Sequence, residues 1–245
     1  MDPSEHLTSL ETEASRFFEV AAGSDLELPV PACPKWSIGN LLAHMGDVHR
    51  WTARIVSTGQ RVGGSARFEP PEGEGVLAWG RSGYDEMIDA MRGKDPLEPC
   101  WTFGRSSPQN VGWWYRRQAL ELAVHRFDIE SAAQRRAGPV EPRLAADGVD
   151  EFMFDMFPML RERVASGGLE GTLHLHATDA AGEWLVDFDA ADLPARREHA
   201  KADTALRGPA SGLFLWLWNR QTTEQGGLEA FGSQTVLEAW TAVRI

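Results

Sequence analysis

Apolar residues recur at spacings of three and four through the first half of the chain, then at a spacing of two. Leu7, Leu10, Ala14, Phe17 and Ala21 form one helical stripe, ended by Gly23 and a loop containing Pro29, Pro31 and Pro34. Ser37 is placed to cap a second helix that carries Ile38, Leu41, Met45, Val48, Thr52 and Ile55 inward, and Gly59 closes it. The polar, Gly- and Pro-containing stretch from Gln60 to Gly75 reads as a long loop, of the length that is often functional. A third helix is expected from about Val76 to Arg92, presenting Leu77, Tyr84, Met87 or Ile88, and Met91. A fourth is expected from about Asn110 to Ala133, with Trp113, Leu120, Val124 and Phe127 inward. Four such stripes predict a four-helix bundle over residues 1–137.

Gly138, Pro139 and Pro142 mark a break, and residues 138–245 read as a small mixed α/β domain, so the chain as a whole is α+β. One Phe- and Met-rich helix from Leu144 to Val164 is expected to bridge into it. Leu173, Leu175 and Ala177 then alternate with Thr172, His174, His176 and Thr178, the pattern of a half-buried strand. Trp184, Val186 and Phe188 alternate after a turn at Gly182, and Thr204 to Arg207 suggests a third strand. A helix should begin near Pro209 in GPASGLFLWLWNR. GGLEAFGS is read as a turn.

Composition narrows the function. The 245 residues are 42% hydrophobic and 24% charged, as in an ordinary globular protein. A formal net charge of -12, with no Lys/Arg run, argues against nucleic acid and against an anionic membrane surface. The N-terminal stretch lacks a signal-peptide layout, and Leu213 to Trp218 is too short to cross a bilayer. Cys33 and Cys100 cannot define a disulfide framework, so two reduced thiols in a cytoplasmic protein are expected.

Candidate chemistry lies at the edges of two stripes. Glu121 and His125 are four apart, hence one turn apart on one face of the fourth helix, and His44 borders the Leu41, Met45, Val48 line of the second. If the two helices pack side by side, two imidazoles and a carboxylate converge. That set would leave coordination positions open on a divalent ion, as a catalytic metal site requires. Asp47 and Asp128, each one turn beyond a histidine, are candidate acceptors to orient the rings. The competing reading is a solvated, hydrogen-bonded Glu–His pair. His49 is read as a surface or cap residue. His174 and His176 have a chelating spacing, but a solvated sheet face accounts for the same alternation. Trp113 is assigned to the core, and Trp114 either to the core or to a pocket wall.

WSIGNLLAHMGDVHRWTARIV resembles the second helix of the mycothiol-dependent maleylpyruvate isomerase family, a group of DinB-like metal-binding bundles. LELAVHRFDIESAA resembles its fourth helix, and ADTALRGPASGLFLWLWNR the signature of its C-terminal domain. The resemblance implies a DinB-like four-helix bundle in which His44, Glu121 and His125 bind a divalent metal, usually zinc. It implies mycothiol as a thiol cofactor that approaches the open coordination position. It implies cis–trans isomerisation, in which thiolate adds to a conjugated double bond, the bond rotates and the thiolate leaves. It also makes Arg220 the candidate to hold a substrate carboxylate, although a helix-terminal Arg answering the dipole fits that position equally. Mycothiol S-transfer to an electrophile and a non-catalytic zinc-binding module stay open as alternatives, and hydrolysis by metal-bound water is a third.

Overall fold

The computed structural model describes residues 1–245 apart from 64–67, 72, 74, 105–107, 161–167, 191–194 and 243–245. The chain divides into two compact units: Asp2–Phe103 with Pro108–Gly138, and the remainder, chiefly Pro139–Ile245. It is an α+β protein.

The first unit is built from α1 (Pro3–Ala22), α2 (Ile38–Thr58), α3 (Gly75–Arg92) and α4 (Val111–Ala132). Local chemistry sets their ends. Asp2 caps α1 and Ser37 caps α2, each in a reciprocal box with the third helical residue, Glu5 and Asn40. Gly59 stops α2 in the left-handed conformation at φ 68°, where a side chain would be strained. Asn110 caps α4 through the amide of Trp113. Short bridges, Pro29 to Ser37 and Pro99 to Asn110, aim the chain into α2 and α4.

α1 packs on α4, α2 on α3, and α2 also on α4. The close approach of α2 to α3 depends on Gly46, where a Cβ would lie 2.3 Å from the Trp79 ring. α4 is buried nearly all round, including Arg117, Arg126, Asp128 and Glu130. Charge inside the unit is paired: Arg126 donates to Glu13 at 2.7 Å and to Glu130 at 3.0 Å, and Arg16 reaches Glu130 at 2.8 Å. Both Trp113 and Trp114 are core residues. They pack edge to face at 4.9 Å in a cluster with Trp51, Trp101 and Phe103, and the Trp114 indole donates to the Trp101 carbonyl at 2.8 Å.

In the second unit α5 (Pro142–Glu151) is shorter than the single helix expected from Leu144 to Val164. It passes into a π-helical turn at Phe152–Met156 and a 3-10 turn at Phe157–Met159. The α-helical pattern thus gives way at Phe152, and Pro158, which has no amide to donate, falls within the 3-10 turn that follows. The rest of that expected helix lies outside the described residues beyond Leu160.

Five strands form one sheet in the order β3 (Ala195–Arg196), β2 (Glu183–Asp187), β1 (Thr172–Ala177), β4 (Thr204–Gly208), β5 (Glu229–Gly232). β1 and β4 run parallel and the other pairs antiparallel. The two edge strands were not apparent in the sequence: β3 is two residues long, and β5 lies within the GGLEAFGS segment read as a turn. α6 (Ala210–Leu217) follows Pro209 as expected, packs against α5 and touches β1 and β4. α7 (Thr235–Ala242) closes the unit, with Trp240 stacked on Trp216 at 5.3 Å.

Candidate metal centre

The stripe edges of α2 and α4 meet. His44 Nε2 and His125 Nε2 each lie 3.4 Å from the same oxygen, Glu121 Oε1. One donor atom from each residue falls within 4.8 Å of the others. Bonds of about 2.0–2.2 Å to a tetrahedral ion put neighbouring donors roughly 3.3–3.6 Å apart. Two of the three separations are therefore already those of a shared ion. The imidazole rings stand edge to face with centroids 5.2 Å apart, and rings that ligate one tetrahedral ion have centres roughly 5–5.5 Å apart.

Neighbouring groups leave the right atoms available. His125 Nδ1 lies 2.9 Å from buried Asp128 Oδ2; a proton held there leaves the Nε2 lone pair for an electrophile. Arg117, one turn before Glu121, donates to Glu121 Oε2, so Oε1 is the oxygen presented to both rings. Trp36 packs on His44 at 4.8 Å and on His125 at 6.4 Å. The donor set and its supports thus fit a divalent ion that prefers nitrogen with one carboxylate.

Exposure is graded across the site. The side chain of His125 is 8% exposed, that of Glu121 18% and that of His44 32%. His44 opens onto a cleft of about 840 Å³ that Trp36, Asp47, Val48, Trp51 and Phe68 also line. The cleft therefore meets the cluster on its His44 side.

Two residues are not where the sequence suggested. Asp47 accepts from the Phe68 amide at 3.0 Å and so ties down the chain after α2. It is Asp128 alone, of the two aspartates, that holds a ring of the cluster. His49 is fully buried, not a surface or cap residue, because it follows Met45 by one turn on the inward face. Neither of its ring nitrogens has a hydrogen-bond partner among the described residues. Burial, reinforced by His44, Arg50 and His125, lowers its pKa to about 3, so it is a neutral core histidine. Arg117 was missed, although its spacing of four to Glu121 was visible.

The other expected residues lie in the second unit. Arg220 follows α6 and its guanidinium donates to the Trp218 carbonyl at 2.7 Å. His174 is 6% exposed, which corrects the expected solvated sheet face: Leu185 is its cross-strand neighbour on that face. Back in the first unit, Cys33 and Cys100 are free thiols, and burial raises the pKa of Cys100.

Comparison with known proteins follows the same division. The sequence profile described as "Mycothiol maleylpyruvate isomerase N-terminal domain" matches residues 7–130, and the profile of the corresponding C-terminal domain matches residues 143–239. The chain belongs to the mycothiol maleylpyruvate isomerase family. Among solved structures, a mutant of a mycothiol-dependent maleylpyruvate isomerase is similar over 94% of this chain and 93% of its own. It shares 14% identity, with a TM-score of 0.64. A second structure of a mycothiol-dependent maleylpyruvate isomerase aligns over 90% of both chains at 15% identity, with a TM-score of 0.63. At this identity the likeness shows that the family's fold is kept. Among curated proteins none matches the chain. No helix among the described residues is long and apolar enough to cross a membrane.

Proposed function

We propose that this family member is a zinc-dependent enzyme of the cytoplasm that uses mycothiol to convert a maleyl-type acid from cis to trans. The observation that carries the reading is the convergence of His44, Glu121 and His125 on one point beside an open cleft. Zinc is favoured because two imidazoles and one carboxylate suit a borderline divalent ion better than an oxygen-seeking one. A divalent cation held there would supply Lewis acidity, which lowers the pKa of a thiol from its ordinary value of about 8.5.

The chain's own residues then have separate tasks. His44, Glu121 and His125 supply the donor atoms, Asp128 holds His125 in the ligating tautomer, and Arg117 orients Glu121 by bonding its other oxygen. Trp36 and Trp51 give the cleft apolar walls that limit water around a thiol and a conjugated acid. Arg220 is assigned to the substrate carboxylate, which its planar fork can grip through two hydrogen bonds.

The test is turnover of maleylpyruvate by metal-free protein to which zinc and mycothiol are returned separately and together. Isomerisation should require both. Activity that persists without thiol would point instead to metal-bound water. A zinc-loaded protein inert toward maleyl acids and toward electrophiles, with any thiol, would leave a binding module. Arg220→Ala should lower kcat/KM for carboxylated substrates about 10- to 100-fold and leave zinc content unchanged, the loss of a charge-assisted bond. Unaltered kinetics would remove Arg220 from the site.

A further inference from the structure

A second cluster in the other unit has no part in that reading. Glu183 opens β2, His174 and His176 lie two apart on β1, and His199 comes from the segment between β3 and β4. The register β1–β2 places His176 opposite Glu183 and His174 opposite Leu185, so the two histidines and the glutamate project from the same face of the sheet. Glu183 Oε2 lies 3.3 Å from His174 Nε2 and 2.5 Å from His199 Nδ1. Its other oxygen lies 3.0 Å from His176 Nδ1. One donor atom from each of His174, Glu183 and His199 falls within 4.8 Å of the others.

A network of neutral hydrogen bonds does not fully account for this arrangement. His174 is 6% exposed, yet its Nε2, aimed at the carboxylate, makes no hydrogen bond of acceptable geometry. A buried unsatisfied nitrogen costs about 1–3 kcal/mol, whereas a metal bond would use its lone pair. The His174 and His199 ring centres are 5.5 Å apart, within the range for two rings on one tetrahedral ion. His176 is farther out, at 6.3 and 6.4 Å from the other two rings, and its partner is the second carboxylate oxygen.

We propose that His174, Glu183 and His199 form a second site for a borderline divalent metal ion of the zinc class, with His176 orienting Glu183. Two imidazole nitrogens and a single carboxylate suit such an ion better than calcium or magnesium, which take mostly oxygen ligands. Such an ion ties the segment that carries His199, itself 79% exposed at the side chain, to the centre of the sheet. Its role is structural, because it joins three pieces of chain that meet only after folding.

The experiment uses the untagged full chain, a His44→Ala/His125→Ala variant that empties the bundle cluster, and zinc as the probe. After dialysis against excess zinc and then buffer, the parent should retain two equivalents and the double variant one. Zinc at about 100 times its Kd should raise the double variant's Tm by roughly 5–10 °C. Adding His199→Ala, at an exposed position where folding should be unaffected, should abolish both the remaining equivalent and the Tm shift. Glu183→Gln should act likewise while keeping the side chain's shape. A double variant that retains no zinc, or one whose zinc survives His199→Ala, overturns the sheet site. A parent with one equivalent that the double variant keeps would uphold the sheet site and count against the bundle centre instead.

Discussion

In the bundle, His44 and His125 share one oxygen of Glu121 while Arg117 holds the other. On the sheet, His174 and His199 share one oxygen of Glu183 while His176 holds the other. The layouts match, but the scaffolds do not. The bundle cluster stands on two long helices, has a buried aspartate behind one imidazole, and faces a cleft. The sheet cluster takes one of its three donors from an irregular segment with an exposed histidine. Rigid support and an open approach suit chemistry on a small molecule; a tie across strands suits stability. The same donor set therefore takes different work from what surrounds it.

The comparison can be broken most sharply at His125. His125→Ala should cut zinc affinity of the bundle centre by at least ~100-fold, beyond the range for losing a supporting group, and leave the helical circular dichroism intact. Unchanged zinc retention with the sheet cluster removed by His199→Ala would show that His125 is no ligand. A stability difference comes next. Arg126 is fully buried between Glu13 and Glu130, so Arg126→Ala strips the buried Glu13 carboxylate of its guanidinium, leaves Glu130 with Arg16, and should cost about 3–5 kcal/mol in urea unfolding. A loss under 1 kcal/mol would mean that the buried Arg126 network is dispensable to the bundle.

Acid should act on the bundle through His49. Its folded pKa of about 3 lies below the ordinary 6.5, so the unfolded chain takes up a proton that the folded chain refuses. Its contribution to stability is complete above pH 6.5 and is lost as pH falls toward 3, by an amount on the order of 3–5 kcal/mol. His49→Phe should flatten that limb in unfolding measured at pH 7 and pH 4; an unchanged slope would contradict the neutral buried ring. The smallest effect is expected at Asp128. Asp128→Asn removes the negative charge behind His125 and should weaken zinc binding about 10- to 100-fold by competition titration. Equal affinities would make the orienting carboxylate, one feature that separates the two clusters, irrelevant.

The helices of the bundle were legible because periodicity and capping are properties of neighbouring residues: Ser37, Gly59 and Asn110 end their helices where the pattern places them. The Glu121–His125 pair was also legible, since the spacing of four on α4 is local, and His44 could be named as its partner only on the condition that α2 packs beside α4. Their support was less so. Asp47 and Asp128 occupy equivalent positions relative to their histidines, but only packing decides that one turns to Phe68 and the other to a ring. His49 was misplaced because a polar residue on an apolar stripe gives no local sign of being buried. In the second unit the long α5 was overextended because its apolar pattern runs on through the π-helical and 3-10 turns that replace the α-helix after Glu151. β3 and β5 are too short for alternation to register.

Consecutive residues by themselves determined where the bundle helices start and stop, which of their faces are apolar, and that Glu121 and His125 share a face. Those features rest on interactions between positions a few residues apart, which survive whatever the rest of the chain does. The meeting of His44 with Glu121, 77 positions later, and of Glu183 with His199 across 16, was decided only by packing. So was the parallel pairing of β1 with β4. Burying apolar stripes and completing backbone hydrogen bonds brings such groups together, and that depends on the whole fold at once.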